Sequence, residues 1–434
     1  MNVGCRVPHL VVGHFAVAMP YHGLVSRFSS RTSWDAGESS YAAAVREARA
    51  SGQRLYDLTV SNPTQCGFSY DAEALLGALA DPRALVYDPD PRGMRVAREA
   101  VVGYYAGHGA EVAVDDLVLT TSTSESYSFL FRLLCDPGDE VLVAQPSYPL
   151  FDFLADLDDV RLRPYPLFYD HGWWIDFAEL ERAITPRTRA VIVVHPNNPT
   201  GHWTGAAERE ALEAMCARHG LALIVDEVFL DYPLRECFAP QSKDAAARSF
   251  ACGTHPALTF VLSGLSKIAG LPQMKAAWIA TLGPERAPTE ALGRLEIVAD
   301  TFLSMNAPVQ LAMGSWLAGA GEMQQQIRER ARGNLATLRR IAEGAPGRLQ
   351  VLEVDAGWSA VVGLPGCVGE ADCAERLVRE CGVVVHPGGF YGMAEGSRVV
   401  VSLIGPAAEF EAGMQRATSE IPTGQRLQVS DELK

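Results

Sequence analysis

The 434-residue chain reads as an α/β protein. It has a large domain on a mostly parallel sheet, covered by helices on both faces, and then a smaller α+β domain. Three observations predict this. Strand-length runs such as "AVIVV" and "LALIV" are apolar throughout rather than alternating, as strands buried on both faces must be. Those runs alternate with longer stretches of helical period. Polar residues gather where each run ends, and ligands of open α/β sheets bind at the carboxyl ends of the strands.

In chain order, "DLVLTT" predicts a strand and "SESYSFLFRLL" a helix packed on the sheet. "DEVLVA" and "AVIVVH" predict two more strands. "AAEREALEAMCARHG" predicts a helix stopped by Gly220, a residue suited to a left-handed C-cap. "LALIVD", "LTFVLS" and "KAAWIATL" continue the sheet. From about Thr289 to Ala345 the chain is helix-rich, most clearly in "QQQIRERARGNLATLRRIAE". "LQVLEV", "WSAVVGL", the helix "EADCAERLVREC", "GVVVHPG" and "SRVVVSL" then form the second pattern. The expected organisation is a flexible leader over 1–30, a segment over 31–70 packing with the small domain, the large domain over 71–320, the small domain over 321–420 and a polar tail over 421–434. For the stretch before Met19 a disordered or mis-started leader is preferred to a weak signal peptide, since no clean small-residue cleavage site follows its short apolar run.

Composition excludes several classes. A net charge of -15 disfavours non-specific binding to nucleic acid or anionic membrane. No run of about 18 apolar residues predicts a transmembrane helix. The nine cysteines form no C-x-x-C pair and no cluster with zinc-ligand spacing, so no metal is expected. Reduced thiols in a cytoplasm are the simplest reading.

Five strand ends carry the chemistry. Ser122 and Thr123 in "LTTSTSES" open a helix, where unpaired N–H groups make an anion site; simple N-capping explains them equally. Tyr148 in "QPSYP" offers a ring for stacking or for plain packing. Asn198 in "HPNNPTGH" supplies an amide donor, or only turn chemistry. Asp226 leaves an apolar run, so its carboxylate needs a partner, which a protonated ring nitrogen or a helix N-terminus would provide. Lys267 in "FVLSGLSK" reads as a surface lysine or as a desolvated amine able to attack a carbonyl. Together they are the parts that hold pyridoxal 5'-phosphate.

The sequence resembles the class I/II aminotransferases, a fold-type I family of pyridoxal-phosphate enzymes, over roughly Leu55 to Glu411. "NNPTG" and "SGLSKIAGLPQMK" are the most specific motifs, and "YDPDPRGMRVAREAV" resembles another family stretch. The resemblance implies a seven-stranded large-domain sheet and an amino-group transfer between an amino acid and a 2-oxo acid. It implies that Lys267 forms the Schiff base and shuttles the proton, and that Asp226 pairs with the pyridinium nitrogen. Asn198 donates to the ring's phenolic oxygen and Tyr148 stacks on the ring. Ser122, Thr123, Ser266 and Lys275 meet the phosphate. Tyr87 reaches the phosphate of a neighbouring subunit, which implies a homodimer with shared sites. Asn62 belongs to the N-terminal segment that contacts substrate.

Three residues depart from the family pattern. Phe229 replaces a tyrosine that donates to the phenolic oxygen. Lys275 replaces a phosphate-binding arginine and lacks its bidentate fork. Val400 occupies the slot of the substrate-carboxylate arginine. Arg398, two residues earlier, shares its strand face; it either reaches the crevice to bind substrate or is an ordinary strand-edge arginine. The empty arginine slot keeps open another pyridoxal-phosphate reaction on an amino acid: elimination, decarboxylation, oxidation or cyclisation.

Overall fold

The computed structural model describes residues 28–34, 37–235, 249–367, 369–393 and 397–421. The leader expected before Met19 and the tail after Ile421 lie outside them.

The large sheet has eight strands among the described residues. Their spatial order is Leu117–Thr120, Ala277–Leu282, Thr259–Gly264, Ala222–Asp226, Thr188–Val194, Glu140–Gln145, Arg161–Tyr169 and Trp173–Ile175. The five from Thr259–Gly264 to Arg161–Tyr169 pair in parallel. Ala277–Leu282 runs against both of its neighbours. The eighth strand is a three-residue antiparallel return at the edge, added to the seven that the resemblance implies. The edge strand "RLRPYPLFY" has no apolar run to announce it. Its charged and proline positions are tolerated because one side is nearly free.

Alternation along each strand feeds two cores. Leu142, Val191, Leu223 and Val261 point to one face. Val141, Ile192, Ile224 and Phe260 point to the other. Helix Thr123–Leu134 buries Tyr127, Leu130 and Phe131 against the second face. Helix Ala206–His219 buries Leu212, Met215 and Cys216 against the first and ends at Gly220 with φ 65°. Full burial of one such aromatic or aliphatic side chain is worth about 1.5–3 kcal/mol.

A second sheet has the order Gln350–Val351, Ser359–Gly363, Arg398–Ser402 and His386–Pro387, all antiparallel. Helices Ser40–Ala50, Ala320–Gly344 and Ala407–Glu420 pack around it through Tyr41, Val45, Leu338 and Phe410. Tyr56–Asp57 pairs in parallel with Val383–Val384, which ties the N-terminal segment to this body. Residues 31–34 reach the other way. Arg31 pairs with Asp159, and Trp34 packs edge-on against Phe153 while its indole donates to Asp156 at 2.8 Å.

One expectation about cysteines is corrected. Cys367 and Cys373 form a disulfide, with Cα atoms 6.1 Å apart. Cys373 lies in helix Glu370–Arg376, six residues after Cys367, and that spacing matches no sequence motif.

Candidate active site

A cavity of about 560 Å³ opens at the carboxyl ends of the central strands, between the two bodies. Lys267, Asp226, Asn198, Tyr148, Ser122, Thr123, Ser266, Lys275 and Asn62 all line it. The expected residues, up to 213 positions apart in sequence, thus meet at one place.

The lysine segment leaves strand Thr259–Gly264 through a sharp turn. Gly264 is needed there: a Cβ would stand 2.8 Å from the Ala276 carbonyl oxygen and 2.9 Å from Ala277 Cβ. The Leu265 N–H donates to that same carbonyl at 2.9 Å. The Tyr232 hydroxyl donates to the Lys267 carbonyl oxygen at 2.5 Å, fixing the backbone under the amine. Nζ lies 4.9 Å from the centroid of the Trp358 ring and 5.7 Å from that of Phe229. Burial among these rings pulls the Lys267 ammonium down to about 8, against the opposing pull of Asp226 and Cys66.

Asp226 ends the neighbouring strand and is 7% exposed. Its Oδ1 accepts the Val228 N–H at 3.1 Å and its Oδ2 accepts the Tyr127 hydroxyl at 3.1 Å. Burial pushes its carboxyl up to about 6, while the Val228 and Tyr127 hydrogen bonds and the Lys267 charge hold it down. A buried carboxylate of this kind gains most from a cationic partner.

Ser122 is the N-cap of helix Thr123–Leu134, its oxygen accepting the Glu125 N–H at 3.1 Å. Capping uses a lone pair and leaves the hydroxyl proton free to donate, so cap and ligand contact are compatible. Glu125 is turned away onto the Thr121 N–H at 2.7 Å and the Thr121 hydroxyl at 3.0 Å. Tyr148 stands edge-on to Phe151, with centroids 5.9 Å apart. Asn62 uses Oδ1 to accept from the Thr64 N–H and hydroxyl, which leaves its NH₂ as the available donor. Lys275 is exposed and holds φ 54° after the turn Pro272–Met274.

Two expected residues stand apart from the cavity lining. Tyr87 is 82% exposed, on a separate surface depression with Leu85 and Val86. Arg398 places its guanidinium 5.9 Å from the centroid of the Trp173 ring, at the large-sheet edge, while Val400 lines the cavity. Arg398 thus meets Trp173, while its reading as a substrate ligand stays a proposal beside that of a strand-edge arginine. Along its strand it stands one same-face step, about 6.6 Å, from Val400.

Sequence reasoning missed Tyr127, Tyr232, Trp358 and the pair His386–Tyr391, whose Nδ1 and hydroxyl lie 2.9 Å apart. Tyr127 had a signal: it follows Thr123 by four residues, one helical turn down the same face. Trp358 had none, because a distant strand delivers it.

The model of the family "Aminotransferase class I and II" matches residues 53–416. The chain belongs to that family. Glutamate-pyruvate aminotransferase AlaA of Escherichia coli K12 is 28% identical over 278 residues, 64% of this chain and 66% of AlaA, so just under two thirds of that relative is spanned. An alanine aminotransferase of Mycobacterium tuberculosis is 29% identical over 320 residues, 73% of this chain and 68% of the relative. The solved alanine aminotransferase of Pyrococcus furiosus superposes with TM-score 0.78 at 21% identity, covering 91% of this chain and 99% of its own. A Thermus thermophilus aspartate aminotransferase mutant gives 0.76 at 23%, with the same coverages. These two likenesses show the fold.

The family's cofactor is pyridoxal 5'-phosphate, and the donor set fits it group by group. A depressed amine suits its aldehyde, a buried carboxylate its ring nitrogen, and a helix N-terminus with hydroxyls and Lys275 its phosphate.

Proposed function

We propose that this protein is a pyridoxal-phosphate-dependent aminotransferase moving an amino group between an amino acid and a 2-oxo acid. The observation that carries it is the meeting of Lys267 and Asp226, at the ends of adjacent parallel strands, in one cavity. When bound, the cofactor supplies an electron sink for the bond-breaking at the substrate α-carbon.

The chain's own residues do the rest. Asp226 holds a proton on the ring nitrogen. Lys267, neutral in a large fraction near its depressed pKa, provides the covalent anchor and then moves a proton at the α-carbon through Nζ. Asn198 donates to the phenolic oxygen, and Tyr148 covers the ring face. Ser122, Thr123, Ser266 and Lys275 bind the phosphate. Asn62 and its neighbours contact substrate. Trp358 and Phe229 exclude water around Nζ.

The working unit is a homodimer on this reading. Leu85, Val86, Tyr87 and Ile297 are 91%, 64%, 82% and 71% exposed, an apolar surface suited to a second copy. Tyr87 would then serve the other subunit's site. The division at about residue 320 is likewise a proposal, supported by the separate cores on either side. No helix among the described residues is long and apolar enough to cross a membrane. We assign the cytoplasm, on five described free thiols against one disulfide.

The test is a half-reaction. Protein reconstituted with pyridoxal phosphate is mixed with L-alanine or L-glutamate, the donors suggested by the relatives' names, without an oxo acid. Conversion to the pyridoxamine phosphate spectrum supports transamination. Val400 favours keeping a second reading, another pyridoxal-phosphate reaction, because an uncharged side chain lines the cavity there. Release of ammonia or carbon dioxide with no pyridoxamine spectrum would establish that alternative.

A further inference from the structure

We infer that Tyr127 is a positioning residue for this site, holding the Asp226 carboxylate in place for the cofactor's ring nitrogen from the same helix that offers its N-terminus to the phosphate. The inference rests on the functional reading above.

The geometry is specific. Helix Thr123–Leu134 begins with Thr123 at the cavity, and Tyr127 lies four residues on, along the same face. The Tyr127 ring is 2% exposed and meets Phe151 edge-on, with centroids 4.9 Å apart at 75°. Phe151 in turn meets the ring of Tyr148 edge-on. A buried tyrosine hydroxyl needs a partner, and here it is Asp226 Oδ2 at 3.1 Å. The Val228 N–H holds the other oxygen, so both carboxylate oxygens are fixed from the protein side. One helix therefore carries both the N-terminus at the cavity and the hydroxyl that holds Asp226.

The groups facing Asp226 are Tyr127, the Lys267 ammonium and the Tyr148 hydroxyl. Glu227 is turned away, onto the Ser249 hydroxyl and the Phe250 N–H. Burial and the Asp226 charge push Tyr127 well up, so it stays a donor. Its hydrogen bond favours the ionised carboxylate, which burial opposes.

The test is Tyr127→Phe, which removes one oxygen and keeps the ring. Pyridoxal phosphate affinity is measured on the full chain by equilibrium dialysis. The cofactor-free protein is titrated by infrared, with the Asp226 band assigned by its loss in Asp226→Asn, and its thermal midpoint is recorded. We expect about tenfold weaker affinity, the scale of a hydrogen bond to a charged group. The gap should widen as pH falls towards 6, and the infrared midpoint should move up. Affinity within twofold of wild type at every pH overturns the inference. So does a pH-independent loss that follows the thermal midpoint while the infrared midpoint stays put. Wild type failing to bind pyridoxal phosphate overturns the functional reading itself.

Discussion

Val400 and Arg398 sit two residues apart on one strand face, yet only Val400 lines the cavity; Arg398 leans on Trp173. Arg398→Ala should therefore leave the affinity of the reconstituted protein for carboxylate ligands within about twofold, as expected of a residue with no contact to the ligand. Val400→Arg should tighten it by about tenfold, the scale of one charge-assisted hydrogen bond. Absorbance titration with an amino acid measures both. A large loss in Arg398→Ala would return that residue to the substrate site.

Lys267 should set the pH dependence of reconstitution. The neutral amine attacks, and burial pulls its ammonium down to about 8. The rate of pyridoxal phosphate uptake by cofactor-free protein should rise with pH through about 8 and then level. Trp358→Ala admits water beside Nζ, reduces desolvation and moves that midpoint upward. An unmoved midpoint in the variant would show that the ring does not shelter the amine.

Gly264→Ser tests the turn that launches the lysine. Its φ of 179° is open to any residue, so the objection is space alone. A Cβ would meet the Ala276 carbonyl at 2.8 Å. Overpacking against backbone costs about 1–3 kcal/mol. The thermal midpoint should fall and pyridoxal phosphate affinity should weaken with it, even though serine brings a hydroxyl towards the phosphate. A stable variant with stronger affinity would contradict this.

Glu227 should make stability depend on pH. Burial pushes its carboxyl up from 4.5 to about 7, against hydrogen bonds from the Phe250 N–H and the Ser249 hydroxyl. Its folded pKa exceeds the unfolded one, so the folded state binds more protons between the two values. Its contribution is present below about pH 4.5 and is lost as pH rises through about 7. Glu227→Gln removes that dependence. Relative to wild type, the variant should gain on the order of 3 kcal/mol as pH rises across this window. Denaturant melts at several pH values measure it, and a constant difference would refute it.

Much of this protein was legible in its sequence, for a local reason. A strand buried on both faces must be apolar throughout, so the central strands announced themselves, and Ser122, Asn198, Asp226 and Lys267 sit at or just past the point where a run breaks into polarity. Lys267, Asp226 and Asn198 could be found because a buried strand end cannot carry such groups without purpose. Gly220 could be found because its left-handed φ suits glycine. Other features depended on distance. The Arg161–Tyr169 edge strand lacks the apolar run because an edge is half solvated. The Trp358 and Tyr232 contacts with the lysine segment come from elements far along the chain, which no local pattern encodes. The sequence by itself determined the fold, the family and the residues at the strand ends. Only the tertiary structure decided which of two same-face residues enters the cavity, and which tyrosine holds Asp226. Periodicity sets the direction of a side chain, but what it meets depends on how separate elements pack.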